Sequence, residues 1–210
     1  PTLANLAAIE LDLGHFETAE INIKQAVALA PDDPYSLFVL GRLKLSQREY
    51  GEAIDAFSRA AKLDPQDAQV QNLLGRALSE KGLRGPAETA LRKAIQIDPA
   101  FADAHNNLAV IYITQQPPLV ELARWHYKKA LAAGNPRNPK LEKLLGRSEV
   151  RDEAVAALVA IGGPKAASAL AGIADPENEG LLAALKATEG SREALERRLL
   201  DVLLPAADRV

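Results

Sequence analysis

Three histidines, His15, His105 and His126, are the side chains best suited to ligate a metal or move a proton near neutral pH. They are read as lying in three different repeats of the pattern described below. No pair has His-x-x-x-His or Glu-x-x-His spacing, so no metal site follows. Cysteine is absent, which removes thiolate ligands, a thiol nucleophile and any disulfide framework. Gly162-Gly163-Pro164 lacks the spacing of a phosphate loop or nucleophile elbow and reads as a helix break. Glu49, Glu52 and Asp55 fall along a helix start, where carboxylates favour the dipole without a catalytic part. Neither an enzyme nor a cofactor is expected. A different chemistry recurs with regular spacing: Arg42 and Arg76 stand 34 residues apart, as do Asn72 and Asn106. A guanidinium holds a carboxylate in a bidentate pair, and an asparagine amide can donate to and accept from a peptide backbone.

The elements that would position these groups follow the same interval. Pro31, Pro65 and Pro99 share one phase, Ala19, Ala53 and Ala87 a second, and Ala26, Ala60 and Ala94 a third. Leu6, Leu40, Leu74 and Leu108 are followed at once by Ala7, Gly41, Gly75 and Ala109. Such a period marks stacked supersecondary units, with the small residues where backbones approach closely. That approach is read as lying between neighbouring first helices, so Gly75→Leu is expected to overfill their contact. Apolar residues recur at three- and four-residue steps over Leu37 to Ser46 and Val70 to Lys81, each run followed by a break and a second amphipathic run. Two helices per unit follow. Asp33 before Pro34 reads as an N-cap with a first-turn proline, and Gly14 and Gly82 as the breaks within pairs. Leu63-Asp64-Pro65 and Ile97-Asp98-Pro99 end second helices, because the residue before proline is pushed out of the α region.

Composition agrees. A hydrophobic content of 48% can fill a continuous core, and an aromatic content of only 4% suits thin helices packed closely. A net charge of −3 and a pI near 5.7 give no reason to expect nucleic acid as a partner. No apolar run reaches the length of a membrane span. The start at Pro1 and the absence of Met suggest a trimmed or engineered chain; a soluble, cytoplasmic setting is the expectation, with an upstream signal left open.

Taken together, the Leu-Gly or Leu-Ala step, the two alanine phases and the terminal proline resemble the tetratricopeptide repeat family over residues 1–136, in units of roughly 1–33, 34–67, 68–101 and 102–136. The resemblance implies an all-α, right-handed solenoid of antiparallel helix pairs whose first helices line a concave groove. Its pattern turns Tyr35, Phe38 and Arg42, then Asn72 and Arg76, then Asn106 and Val110, toward that groove. It implies a noncatalytic scaffold for a peptide or protein partner, with an acidic group favoured by the arginines. It also places His105 where the family packs a large side chain between helices. The Lys and Asn carboxylate clamp of some members is not reproduced, because those phases hold Phe38 and Arg42, then Leu73, then Asp103 and Asn107. An asparagine ladder is likewise broken, with Val39 and Leu73 between Asn5 and Asn107.

The fourth unit departs from the period. Ala123 and Ala130 stand two places beyond their expected positions, and the insertion is assigned to Gln115-Gln116-Pro117-Pro118 before the helix carrying Trp125 and Tyr127. Lys140 to Leu145 is read as a short capping helix, which sets the first domain at 1–146. Residues 149–174 resemble HEAT-like repeats, and 147–210 is read as a helical continuation of that type. A basic run, Arg124, Lys128, Lys129, Arg137, Lys140 and Lys143, crosses the seam as a candidate anionic docking patch. Two alternatives stay open: an engineered or structural fusion without a ligand, and a regulatory arm of a larger enzyme or secretion complex. Self-association through a free end of the stack also stays open.

Overall fold

The computed structural model describes residues 2–146, and the described residues form no strand. Eight helices follow in order: α1 (Thr2–Asp12), α2 (Phe16–Leu29), α3 (Pro34–Ser46), α4 (Tyr50–Leu63), α5 (Ala68–Glu80), α6 (Arg84–Ile97), α7 (Ala102–Thr114) and α8 (Val120–Ala132). The chain divides into two units, the first running Pro1–Arg137 and the second beginning at Asn138. In the second, residues 139–146 are helical, started by Asn138, whose side-chain oxygen accepts from the Leu141 amide at 3.1 Å. The HEAT-like stretch expected at 149–174 lies outside the described residues.

Local chemistry sets each boundary. Asp33 opens α3 with extended backbone, its carboxylate accepting from the Ser36 amide at 3.0 Å, while Pro34 occupies the first helical position. Asp67 opens α5 in the same way through the Val70 amide. Asp64 and Asp98 close α4 and α6 in extended conformations before Pro65 and Pro99. The first helices end in paired reverse bonds: Gly14 to Leu11 and His15 to Glu10, then Arg48 to Leu45 and Glu49 to Lys44, then Gly82 to Ser79 and Leu83 to Leu78. This geometry puts the residue after the cap in the left-handed region, with φ of 80° at Gly14 and 83° at Gly82. Arg48 holds φ of 62° with a side chain attached. Arg48→Gly is therefore expected to raise stability by about 0.5 kcal/mol, the relief of left-handed strain less the entropy glycine loses. A small upward shift in melting temperature checks it.

Each three-residue turn folds a second helix back on its first, and α2, α4 and α6 pack on the next hairpin. Successive first helices also touch, α1 on α3, α3 on α5 and α5 on α7, so the described repeats form an α-solenoid. Ala19, Ala53, Ala87 and Ala123 are each at most 1% exposed, which confirms the alanine phase and its displacement in the last unit. The turn between α7 and α8 spans 115–119, two residues longer than the 81–83 turn, where the insertion was expected.

The glycine step needs a correction. A Cβ at Gly41 would sit 2.6 Å from the Phe57 ring, and one at Gly75 2.6 Å from Leu91 Cγ and 3.1 Å from the Ala87 carbonyl oxygen. Those partners belong to α4 and α6, the second helices of the same hairpins. The small residue serves the contact within a pair, where a large side chain from the second helix lies across the first, and not the contact between neighbouring first helices.

Candidate functional site

The first-helix face carries the groove residues, but it does not present them equally. Tyr35 is 42% exposed and stacks on Phe38, ring centroids 6.2 Å apart. Phe38 is half-buried and packs against three clusters of the core, so most of its ring serves packing. The Arg42 guanidinium lies 5.8 Å from the Phe38 centroid and pairs with Asp12 of α1, a residue the sequence reading did not single out. Asn72 is 4% exposed, and its side-chain oxygen accepts from Asn107 Nδ2 at 3.0 Å, tying α5 to α7. Asn72 is thus an internal tie with little surface to offer a ligand. Val110 is half-buried. Asn106 carries a buried side-chain oxygen with no hydrogen-bond partner among the described residues. Arg76 is exposed, with no ion-pair or hydrogen-bond partner among the described residues.

The contrast between the two arginines follows from the sequence. Asp12 meets Arg42 across thirty residues, and one repeat later the residue thirty places before Arg76 is Ser46. Ser46 carries no charge, and its hydroxyl donates to the Leu43 carbonyl at 2.6 Å. Among the described residues one guanidinium is neutralised and the other is not. A search for acids thirty residues before each arginine would have found this difference.

The acids at the start of α4 have a role beyond the helix dipole. Lys44 of α3 is only 6% exposed, and its ammonium lies 2.9 Å from Glu49, 3.4 Å from Glu20 of α2 and 3.5 Å from Glu52. Burial works against the Lys44 charge, but the Glu49 hydrogen bond and the fields of Glu20, Glu52 and Glu49 together raise its pKa. Glu20 is pulled down to about 2 by hydrogen bonds from Lys24 and Gln47, which outweigh its burial. Lys44→Ala leaves these carboxylates without their shared cation and is expected to cost about 2 kcal/mol, less than a fully buried pair because Glu49 and Glu52 remain in contact with water. Denaturant titration at pH 7 checks it.

The histidines also need correcting. His105 and His126 lie in one hairpin, on α7 and α8, with their Nδ1 atoms 2.9 Å apart. His105 is 2% exposed and packed between helices, as the resemblance implied. His15 stands apart at the first turn, bonded to Glu10 at 2.7 Å. Among the described residues no group of three or more His, Cys, Asp or Glu side chains could hold a metal ion.

The basic run is divided between the two units. Arg124 pairs with Glu121 at 3.0 Å, Lys129 lies 5.5 Å from the Trp125 ring centroid, and Lys128 and Arg137 are exposed on the first unit. Lys140 and Lys143 are exposed on the second unit. No helix among the described residues is long and apolar enough to cross a membrane.

Comparison with known proteins agrees with the repeat geometry. Residues 5–68 match one tetratricopeptide repeat model and residues 68–101 match another. The fourth hairpin, with its two-residue insertion, lies outside both matches. A crystal structure of MamA is 29% identical, with a TM-score of 0.58, covering 63% of this chain and 76% of that one. MamA from Desulfovibrio magneticus RS-1, solved from residue 41 to its end, is 21% identical with a TM-score of 0.57, covering 62% and 73%. The Cut9–Hcn1 hetero-tetramer of APC/C gives 24% identity and a TM-score of 0.62, covering 69% of this chain and 29% of that one. These last two likenesses show the fold alone. No curated protein matches the sequence. Residues 5–101 are therefore tetratricopeptide repeats, and the stacked hairpins form a protein-interaction scaffold.

Proposed function

We propose that the first-helix face of α3, α5 and α7 holds an extended segment of a partner protein, anchored by a carboxylate at Arg76. The observation that carries this reading is the unmatched guanidinium of Arg76 on a face where Arg42 is already engaged by Asp12. The overall charge of −3 argues that recognition of acid is local to this face and not a general attraction. Fluorescence anisotropy with matched acidic, neutral and basic peptides tests the reading. Acidic peptides alone should bind, and added salt should weaken them as it screens the pair. Equal binding of all three would overturn it.

A further inference from the structure

The fourth hairpin buries a titratable pair that the proposed binding face does not use. Two ring nitrogens 2.9 Å apart, as His105 Nδ1 and His126 Nδ1 are, share one proton: one donates and the other must be bare. The Pro99 carbonyl, which only accepts, lies 3.2 Å from His105 Nε2. That nitrogen therefore carries the hydrogen of a neutral His105, its Nδ1 is bare, and His126 Nδ1 donates. Among the described residues the neighbours offer no uncommitted countercharge. On α7, the Tyr112 ring lies 5.4 Å from the His126 ring; on α8, Trp125 lies 4.7 Å away, with Lys129 over Trp125. On α6, Arg92 is a fixed cation acting on His126, and Glu88 is engaged by Arg92 at 3.1 Å and by the Tyr112 hydroxyl at 2.8 Å. A charge arriving on His126 meets a cation, aromatic rings and an occupied carboxylate.

We propose that the His105–His126 pair is an acid-sensitive latch, which holds α8 on α7 at neutral pH and lets it go when His126 takes up a proton. Burial first, with the Arg92 cation beside it, pushes His126 down to about 4, against about 6.5 in an unfolded chain. Between those values the released hairpin binds a proton that the closed one does not. Closure is therefore fully favoured above the higher pH and is lost as pH falls toward the lower, by about tenfold per pH unit for each linked proton. Since α7 carries Asn106 and Asn107, release of α8 removes support from that end of the first-helix face.

Trp125 is the chain's single tryptophan, its ring centroid 5.8 Å from that of His105, so emission reports the latch directly. The full chain is titrated from about pH 7 down to about pH 4.5, above the ordinary range of carboxylates. Trp emission should change sigmoidally. Amide exchange in 120–132, corrected for its intrinsic rate, should accelerate about tenfold per pH unit, while α1–α4 stay unchanged. His126→Gln keeps an N–H donor toward His105 but cannot titrate, and should hold α8 closed throughout. His105→Phe with His126→Phe replaces both partners with apolar rings and should do the same if the glutamine variant does not fold. Unchanged exchange in α8 of the wild type would overturn the latch, whether or not emission moves. Acid-driven opening that persists undiminished in a folded variant would overturn it too.

Discussion

Gly75→Leu should destabilise the repeat stack by about 3 kcal/mol, lowering the melting temperature by roughly 10 °C. A Cβ alone at this position sits 2.6 Å from Leu91 Cγ and 2.9 Å from Leu91 Cδ2, and leucine adds three further carbons. Leu91 is fully buried and cannot swing into water. The Ala87 carbonyl at 3.1 Å belongs to the α6 backbone, so relief requires moving the helix itself. Each hairpin of a solenoid contacts only its neighbours, so the damage should centre on α5 and α6, visible as faster amide exchange there before α1 and α2 respond. Gly85→Ala is the control: nothing lies within 4 Å of its added Cβ, and alanine in a helix should gain up to about 1 kcal/mol. Gly75→Ala combined with Leu91→Ala should cost less than the two changes summed, because removing Leu91 opens the space the new methyl needs. Strict additivity of that pair, or wild-type melting of Gly75→Leu, would refute the packing described.

The fold was legible because its determinants are local and recur in step. Asp33 and Pro34 make a helix start wherever they are placed, and the alanine phase shows its spacing without reference to any partner. The glycine step was legible only in part. Smallness at Gly41 and Gly75 announces a close approach, but the side chains that fill the gap, Phe57 and Leu91, lie sixteen residues on, in the second helix of the same pair. Periodicity across repeats drew attention to the neighbouring repeat instead. The binding face shows the same limit. Equal phase made Arg42 and Arg76 equivalent rungs, whereas the contact that separates them runs diagonally, from position 12 to position 42. Asn72 looked like a surface rung by phase, yet its bond to Asn107 draws it inside. The histidine pair was missed because twenty-one residues separate His105 from His126, a distance that matches neither a helical turn nor the repeat period.

On the binding face, Arg76→Glu should weaken an acidic peptide by about tenfold to a hundredfold, the range expected when a hydrogen-bonded charge pair of about 1.5–3 kcal/mol is lost. Arg76 is exposed and makes no hydrogen bond or ion pair among the described residues, so melting should stay within about 0.5 kcal/mol of wild type. Arg42→Ala should behave in the opposite sense. It loses the Asp12 pair and the Phe38 face, costing at most about 1 kcal/mol of stability, and it changes peptide affinity little because Asp12 already holds its charge. Asp12→Asn supplies the decisive sign. Freed from its carboxylate, Arg42 becomes a second cation on the same face as Arg76, and the acidic peptide should bind more tightly with a steeper dependence on salt. If Asp12→Asn weakens the peptide, or Arg42→Ala costs as much affinity as Arg76→Glu, then both arginines act together and the assignment of Arg76 as the lone anchor is wrong.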